Sequence, residues 1–378
     1  MERRRFIKLM TVPVMASIDS LGLAGQSDLN AIASPIKSGI DKQLPRASFM
    51  HIVTDFGAKG DGVTDDTESI QRAINESLIA SGILLFPHGV YRISKTIIIS
   101  GYLNIQGLHH RHCKIINYGK GDAVSIISND SDRVAREISI SDITITSAKN
   151  SGAYGLSVYN PGRLVLNNVV VVRNPAGGVL LKRNPDFNFM VSFYDCWFNE
   201  NNGFGVDVMY GNSINFYNCS WQNNVGELRI DGAYINVFGG YFGGTRNKPG
   251  AAVEVSGSEA SPGQRGGGFW GCGFENNGLA KAHVSIGSAN TVNSYVIDAC
   301  HFINPTERAG NVACIALYNY KGLRISNCFM HKGKDYDGKV TGISIARGVS
   351  EGLVIMSPVF SGIDIPINNI YSIEYKQI

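Results

Sequence analysis

Residues 191–198 read Val-Ser-Phe-Tyr-Asp-Cys-Trp-Phe, residues 214–221 read Ile-Asn-Phe-Tyr-Asn-Cys-Ser-Trp, and residues 323–330 read Leu-Arg-Ile-Ser-Asn-Cys-Phe-Met. Each run alternates apolar and polar residues with period 2, the pattern of a half-buried strand. Each is followed by a turn and a second alternating strand: residues 205–208, 227–230 and 342–345. Aligned on the cysteine, the repeat places Ile143, Val169, Cys196, Cys219, Gly240, Cys272, Cys300, Cys328 and Pro358 in equivalent positions, 21 to 32 residues apart. A period in that range with period-2 strands marks a stacked parallel solenoid. A propeller needs four strands in roughly 40–45 residues, which this spacing does not give.

In such a stack, equivalent residues form ladders about 4.8 Å apart. The shared cysteine position always holds an apolar or small residue and is read as inward, so Cys196, Cys219, Cys272, Cys300 and Cys328 form a buried thiol stack. No CxxC pair occurs among the seven cysteines, which argues against zinc and thioredoxin-like chemistry. Turn asparagines recur at 199–203, 222–224 and 275–278, where Asn hydrogen-bonds its own and neighbouring backbone.

Composition agrees. The 378 residues include 44 Gly and 32 Asn, residues that tolerate the positive φ of tight turns. The 44% apolar content excludes global disorder. A net charge of +3, dispersed along the chain, does not support nucleic-acid binding. No run of 18 apolar residues occurs, so no transmembrane helix is expected.

Residues 55–74 and 82–93 stand apart. They read Asp-Phe-Gly-Ala-Lys-Gly-Asp-Gly-Val-Thr-Asp-Asp-Thr-Glu-Ser-Ile-Gln-Arg-Ala-Ile and Gly-Ile-Leu-Leu-Phe-Pro-His-Gly-Val-Tyr-Arg-Ile. This segment resembles the opening of the pectate-lyase-like superfamily, which includes polygalacturonases, rhamnogalacturonases, β-1,3-glucanases and tailspike depolymerases. The resemblance implies a single-stranded right-handed parallel β-helix that acts on polysaccharide. By its own chemistry, Thr64 or Asp65 caps a helix starting near Asp66, with Ile70, Ala73, Ile74 and Leu78 on one face. That helix would cover the open first coil of the solenoid. Asp61, Asp65 and Asp66 are read as turn and cap residues. The Asn-Thr-Asp, Gly-Asp-Asp, His-Gly and Arg-x-Lys motifs of polygalacturonases are missing from the matching places, so no site transfers from that branch.

Candidates come from the ladders instead. The outward row of the second strand runs Ser157, Leu180, Asp207, Arg229, Glu254, Ser285, Ala316, Ser344. Two residues on lies the row Tyr159, Lys182, Met209, Asp231, Ser256, Gly287, Tyr318, Ala346. Asp207, Asp231 and Glu254 are the expected catalytic carboxylates, because paired carboxyls about 5–9.5 Å apart are what glycosidases use. Arg229, Lys182, Tyr159, Tyr318, Trp197 and His331 are the expected substrate contacts. Trp221 is read as core and Trp197 as an outward sugar platform. His331 is placed in a long turn before residue 343. His109, His110, Arg111 and His112 form a basic run in an early turn, read as a solvated loop, with a metal or anion patch as the alternative.

The chain opens Glu2-Arg3-Arg4-Arg5-Phe6-Ile7-Lys8 before a short apolar stretch, which resembles a twin-arginine export signal without the usual Ser or Thr at Glu2. Ala31-Ile32-Ala33 offers a cleavage site. The expectation is residues 1–33 as signal and linker, residues 48–378 as one all-β solenoid with a capping helix, and a periplasmic or secreted protein. The expected activity is glycoside hydrolysis. The alternatives are a uronate lyase, using Lys182, a tyrosine or His331 as base with Arg229 or calcium neutralising the acid, and a non-catalytic glycan binder. The expected partner is a polysaccharide, without nucleic acid or stable membrane insertion, in a monomer or a trimer. No cofactor or metal is expected, calcium entering only for a lyase.

Overall fold

Three faces of stacked strands form the molecule, a computed structural model in which every strand pairing is parallel. It describes residues 50–378 apart from 81, 128–136, 160–161, 183–187, 247–249, 258–265, 278–279, 304–311, 347, 370–373 and 378. The expected signal segment 1–33 lies outside the described residues. Among those described, the sheets have 14, 12 and 11 strands, here walls 1, 2 and 3. The chain visits walls 1, 2 and 3 in turn on each coil and then begins the next. A compact unit spans Ser48–Ile378.

Local sequence dictates each bend. Wall 1 passes to wall 2 through a single left-handed residue: Asp142, Asn168, Asp195, Asn218, Gly239, Gly271, Ala299, Asn327 and Ser357 have φ between 46° and 66°. Asn and Asp tolerate that region because their short polar side chains bond locally. Pairs of these vertex residues tie coil to coil: Asn168 Nδ2 donates to Asp142 Oδ1 and Asn218 Nδ2 to Asp195 Oδ1, both at 2.6 Å.

The turn from wall 2 to wall 3 carries an internal amide ladder. Asn174 Nδ2 donates to Asn201 Oδ1 at 3.1 Å, and Asn201 Nδ2 to Asn224 Oδ1 at 3.0 Å. These amides fill the space that a side chain would need at Gly155, Gly178 and Gly205, where an added Cβ would lie 2.7–2.9 Å from the facing amide nitrogen. In the next coil the glycine becomes Glu227 and the asparagine becomes Thr245. Asn224 Nδ2 donates to Glu227 Oε2 at 2.5 Å, and Thr245 Oγ1 lies 3.0 Å from Glu227 Oε1 and 2.7 Å from Asn277 Oδ1. Glu227 therefore splices the ladder where its regular residue is missing.

The interior is filled by stacked apolar columns. Phe193 stacks on Phe216 at 4.5 Å, and Trp221 on Phe242 and Phe274 in sequence at 4.4 and 4.9 Å. All seven cysteines are buried and none forms a disulfide, and Cys113 joins the predicted thiol column one coil below Ile143. A 14-residue helix, α1 (Thr67–Ala80), lies over the first coil with Ile70, Ala73 and Ile74 fully buried. Asp65 caps it, accepting from the Thr67 N–H at 3.1 Å. Asp66 is buried and accepts from the N–H groups of Lys59 and Gly60. Asp61 accepts from Val63 and Thr64.

Candidate functional site on wall 3

The outward ladder of wall 3 has the register expected from the repeat. Ser157, Leu180, Asp207, Arg229, Glu254, Ser285, Ala316 and Ser344 are consecutive partners. Asp231 pairs with Ser256 in the second row. Asp207, Arg229 and Glu254 thus share one wall on three successive coils.

Their environments differ sharply. Arg229 Nε donates to Asp207 Oδ1 at 2.8 Å and its Nη2 to Oδ2, a bidentate ion pair. The Asp207 side chain is only 1% exposed, whereas Arg229 is 42% exposed. Glu254 and Asp231 are half-buried. The reading of Asp207 as an outward, reactive carboxylate needs correction in one respect. It faces the outer side of the sheet, but both oxygens are committed to Arg229, so it positions that guanidinium and is closed to substrate.

Two aromatic residues complete the cluster. The guanidinium of Arg229 lies 4.8 Å from the Phe204 ring centroid, a cation–π contact. Asp207 draws the Arg229 guanidinium pKa upward, the hydrogen bond weighing most. Burial raises the Tyr154 phenol pKa, and the Asp207 charge adds to it. Sequence reading missed Tyr154 and Phe204. The signal was one coil on: an added Cβ at Gly177 would meet the Tyr154 ring at 2.6 Å, and one at Gly226 the Phe204 ring at 2.4 Å. A large ring on an outer column thus lies over a glycine in the next coil.

Below the ion pair, Lys182 Nζ contacts the Tyr159 hydroxyl and sits 4.6 Å from its ring centroid. Tyr318 is on the same wall, at the end of a strand two coils above Glu254, and is 36% exposed. Trp197 and His331 are on wall 2 instead, in strands Trp197–Asn199 and Phe329–His331. They do not flank the carboxylates. His331 ends a strand rather than lying in the turn, because Met330 continues the alternation into the core. Trp221 is fully buried and Trp197 is 47% exposed. Among the described residues, no group of three or more His, Cys, Asp or Glu is placed to hold a metal ion, and no helix is long and apolar enough to cross a membrane.

Coils stacked in this way, under a capping helix and with a polar ladder along one wall, make a parallel β-helix protein. Residues 50–229 match the family described as Rhamnogalacturonase A/epimerase, pectate lyase-like, and form a pectate lyase-like region. A 43-residue stretch is 46% identical to a glucan 1,3-beta-glucosidase of Cochliobolus carbonum, covering 11% of this chain and 6% of that protein. A 103-residue stretch is 35% identical to alginate lyase 7 of Azotobacter vinelandii, covering 25% and 12%. The chain thus spans only a small fraction of the length of these curated relatives. The fold superposes on the A-module of mannuronan C-5 epimerase AlgE6 from Azotobacter vinelandii with a TM-score of 0.65, at 16% identity, over 87% of this chain and 98% of the module. At that identity the likeness is one of fold.

Proposed function

We propose that this chain processes a polysaccharide laid along wall 3, and that its chemistry is elimination at a uronate unit. The observation that supports this most directly is Arg229, held from one side by Asp207 and from beneath by Phe204. A guanidinium fixed in this way is pre-organised to pair with a sugar carboxylate, and two of its five donors are already satisfied. Pairing neutralises the carboxylate and favours loss of the adjacent ring proton. Lys182 lies two coils below and Tyr159 three, about 10 and 14 Å along the wall at the backbone, within reach of long side chains bridged by a sugar unit. Tyr159 takes the ring proton as it passes its own proton to the departing glycosidic oxygen, while the Lys182 ammonium donates to the phenol oxygen and stabilises charge developing there. The C4–C5 double bond forms as the bond from C4 to the glycosidic oxygen breaks, that oxygen leaves with the proton from Tyr159, and the phenol ends the cycle as it began.

A second reading is hydrolysis by Asp231 and Glu254. It is favoured by their position on neighbouring coils of the same face, diagonal to one another. Similarity to a lyase and to a glucosidase supports a carbohydrate-active enzyme under either reading. We place it in the periplasm or outside the cell, on the strength of the basic and apolar opening of the chain.

Incubation with a panel of uronate and neutral polysaccharides, followed by product sizing and ultraviolet absorbance, separates these readings. Shortened products carrying an absorbing double bond support elimination. Shortened products without it support hydrolysis. If no polymer is shortened, the enzymatic reading fails and glycan binding alone remains.

A further inference from the structure

The corner between walls 1 and 2 is turned by one residue in coil after coil, but not in the coil before Cys113. There residues 108–112 form a longer turn: the N–H groups of His112 and Cys113 both donate to the His109 carbonyl at 2.9 Å, and Thr144 Oγ1 donates to the His110 carbonyl at 2.7 Å. Four of the chain's eight histidines gather here. His88 lies 5.2 Å from His112, His112 lies 5.7 Å from His109, His109 stacks on His110 at 4.7 Å, and His110 reaches Trp197 at 6.4 Å between ring centroids.

Trp197 belongs to a coil three rungs above Cys113, so the rings climb the corner and end at a half-exposed indole. The groups around the imidazoles are mostly basic. Arg111 is exposed within the turn, and Lys114 stands at the foot of the wall 2 column that rises through Thr144 and Val170 to Trp197. Asp142 is the carboxylate facing His110, and Asp195, at the vertex before Trp197, is hydrogen-bonded to Asn218. His110 Nδ1 is buried without a hydrogen-bond partner.

An exposed indole offers a sugar a stacking face, and clustered imidazoles with Arg and Lys offer charge to an acid group. Nucleic acid would need a wider basic surface than this corner supplies. We propose that this corner is a second glycan-binding site, taking acid-bearing sugar units against Trp197, His109, His112 and Arg111, and strengthening as pH falls. The site is on a different wall from Arg229 and does not rest on the chemistry assigned there. Its use is to hold a long polymer while another part of it is on wall 3. Burial lowers the His110 pKa, with His109 and Arg111 adding to the effect, whereas His109 and His112 are exposed at the turn.

The test is affinity electrophoresis of the parent protein and of R229Q, which removes the guanidinium of wall 3 and is checked for folding by thermal melts, in gels containing polygalacturonate, polymannuronate, hyaluronate or dextran. At least one acidic polymer is expected to retard the protein at about pH 5.5 and to bind about tenfold more weakly at about pH 8. Adding W197A, or H109Q with H112Q, weakens that retention about fivefold or more, and adding D142N strengthens it. Four results overturn the proposal: no retention by any acidic polymer, equal retention by dextran, equal binding of a single-stranded oligonucleotide, or retention unchanged in both the tryptophan and the histidine variants.

Discussion

Glu227 and Asn224 are joined inside the turn between walls 2 and 3, the amide of Asn224 donating to the buried carboxyl at 2.5 Å. On its other side Glu227 meets Thr245, whose hydroxyl also lies 2.7 Å from Asn277 Oδ1. A hydroxyl has one proton, and giving it to Asn277 leaves the Thr245 oxygen to accept from a protonated Glu227. Burial pushes this carboxyl up to about 7, against the hydrogen bonds from Asn224 and Thr245 and the charge of Arg246.

The consequence for stability follows by linkage. The folded state keeps a proton that the unfolded chain releases near pH 4.5, so stability falls as pH rises from about 4.5 to 7 and then levels. The shift corresponds to about 3 kcal/mol. Glu227→Gln can make the same donation to Thr245 without a charge. It is expected to flatten this part of the profile and to be more stable than the parent at about pH 8. Urea midpoints measured across the range check it, and an unchanged slope counts against the protonated carboxyl.

Asp207→Asn should act chiefly on turnover. It keeps the shape of the pair but removes the charge that fixes Arg229, and a fall in kcat of about tenfold or more is expected. The stability cost should be about 1–3 kcal/mol, because one side of the pair reaches solvent. Arg229→Gln should cost more stability, since it strands a buried carboxylate. Kinetics on the best polymer, beside thermal melts, give both numbers.

Gly226→Ala tests the support beneath the guanidinium. The new methyl would meet the Phe204 ring at 2.4–3.0 Å and must displace it. The ring is half-buried, so displacing it exposes little core, and the expected stability loss is small, about 1 kcal/mol. The expected activity loss is several-fold, because Arg229 loses the face it rests on. Full activity in a folded variant would show that Phe204 does not position Arg229.

The seven cysteines should be silent in the native protein. All are buried, and burial holds the Cys113 thiol up at about 12. A thiol reagent should find no reactive group in the folded protein and all seven after unfolding in guanidinium. Rapid native labelling of Cys113, Cys196, Cys219, Cys272, Cys300 or Cys328 would contradict the inward column, and labelling of Cys314 would contradict its burial in wall 3.

The solenoid and its register were legible because period-2 alternation and the recurring inward cysteine are local signals that repeat. The outward placement of Asp207, Arg229 and Glu254 followed from that register alone. What was not legible depended on side-chain reach. Nothing in one strand's sequence says that Arg229 will close on Asp207 and bury it, since the two are 22 residues apart and neighbours only after stacking. Trp197 and His331 were legible as outward residues, but assigning them to a wall requires knowing where each coil bends. Those bends rest on single left-handed residues, and at Ala299 and Ser357 these carry no compositional mark.

One coil interrupts both internal columns at once. Gly240 stands where its neighbours in the stack have cysteine, and Thr245 where they have asparagine. In a molecule whose coils touch only the coil before and the coil after, such a place is a seam. The stacks below and above meet across it, held there by Glu227 and by the Trp221 ring against Phe242. Cooperativity along the solenoid is therefore weakest at the level of wall 3 where Arg229 and Glu254 stand side by side. That joint of the scaffold and the charged pair of wall 3 are the same stretch of chain.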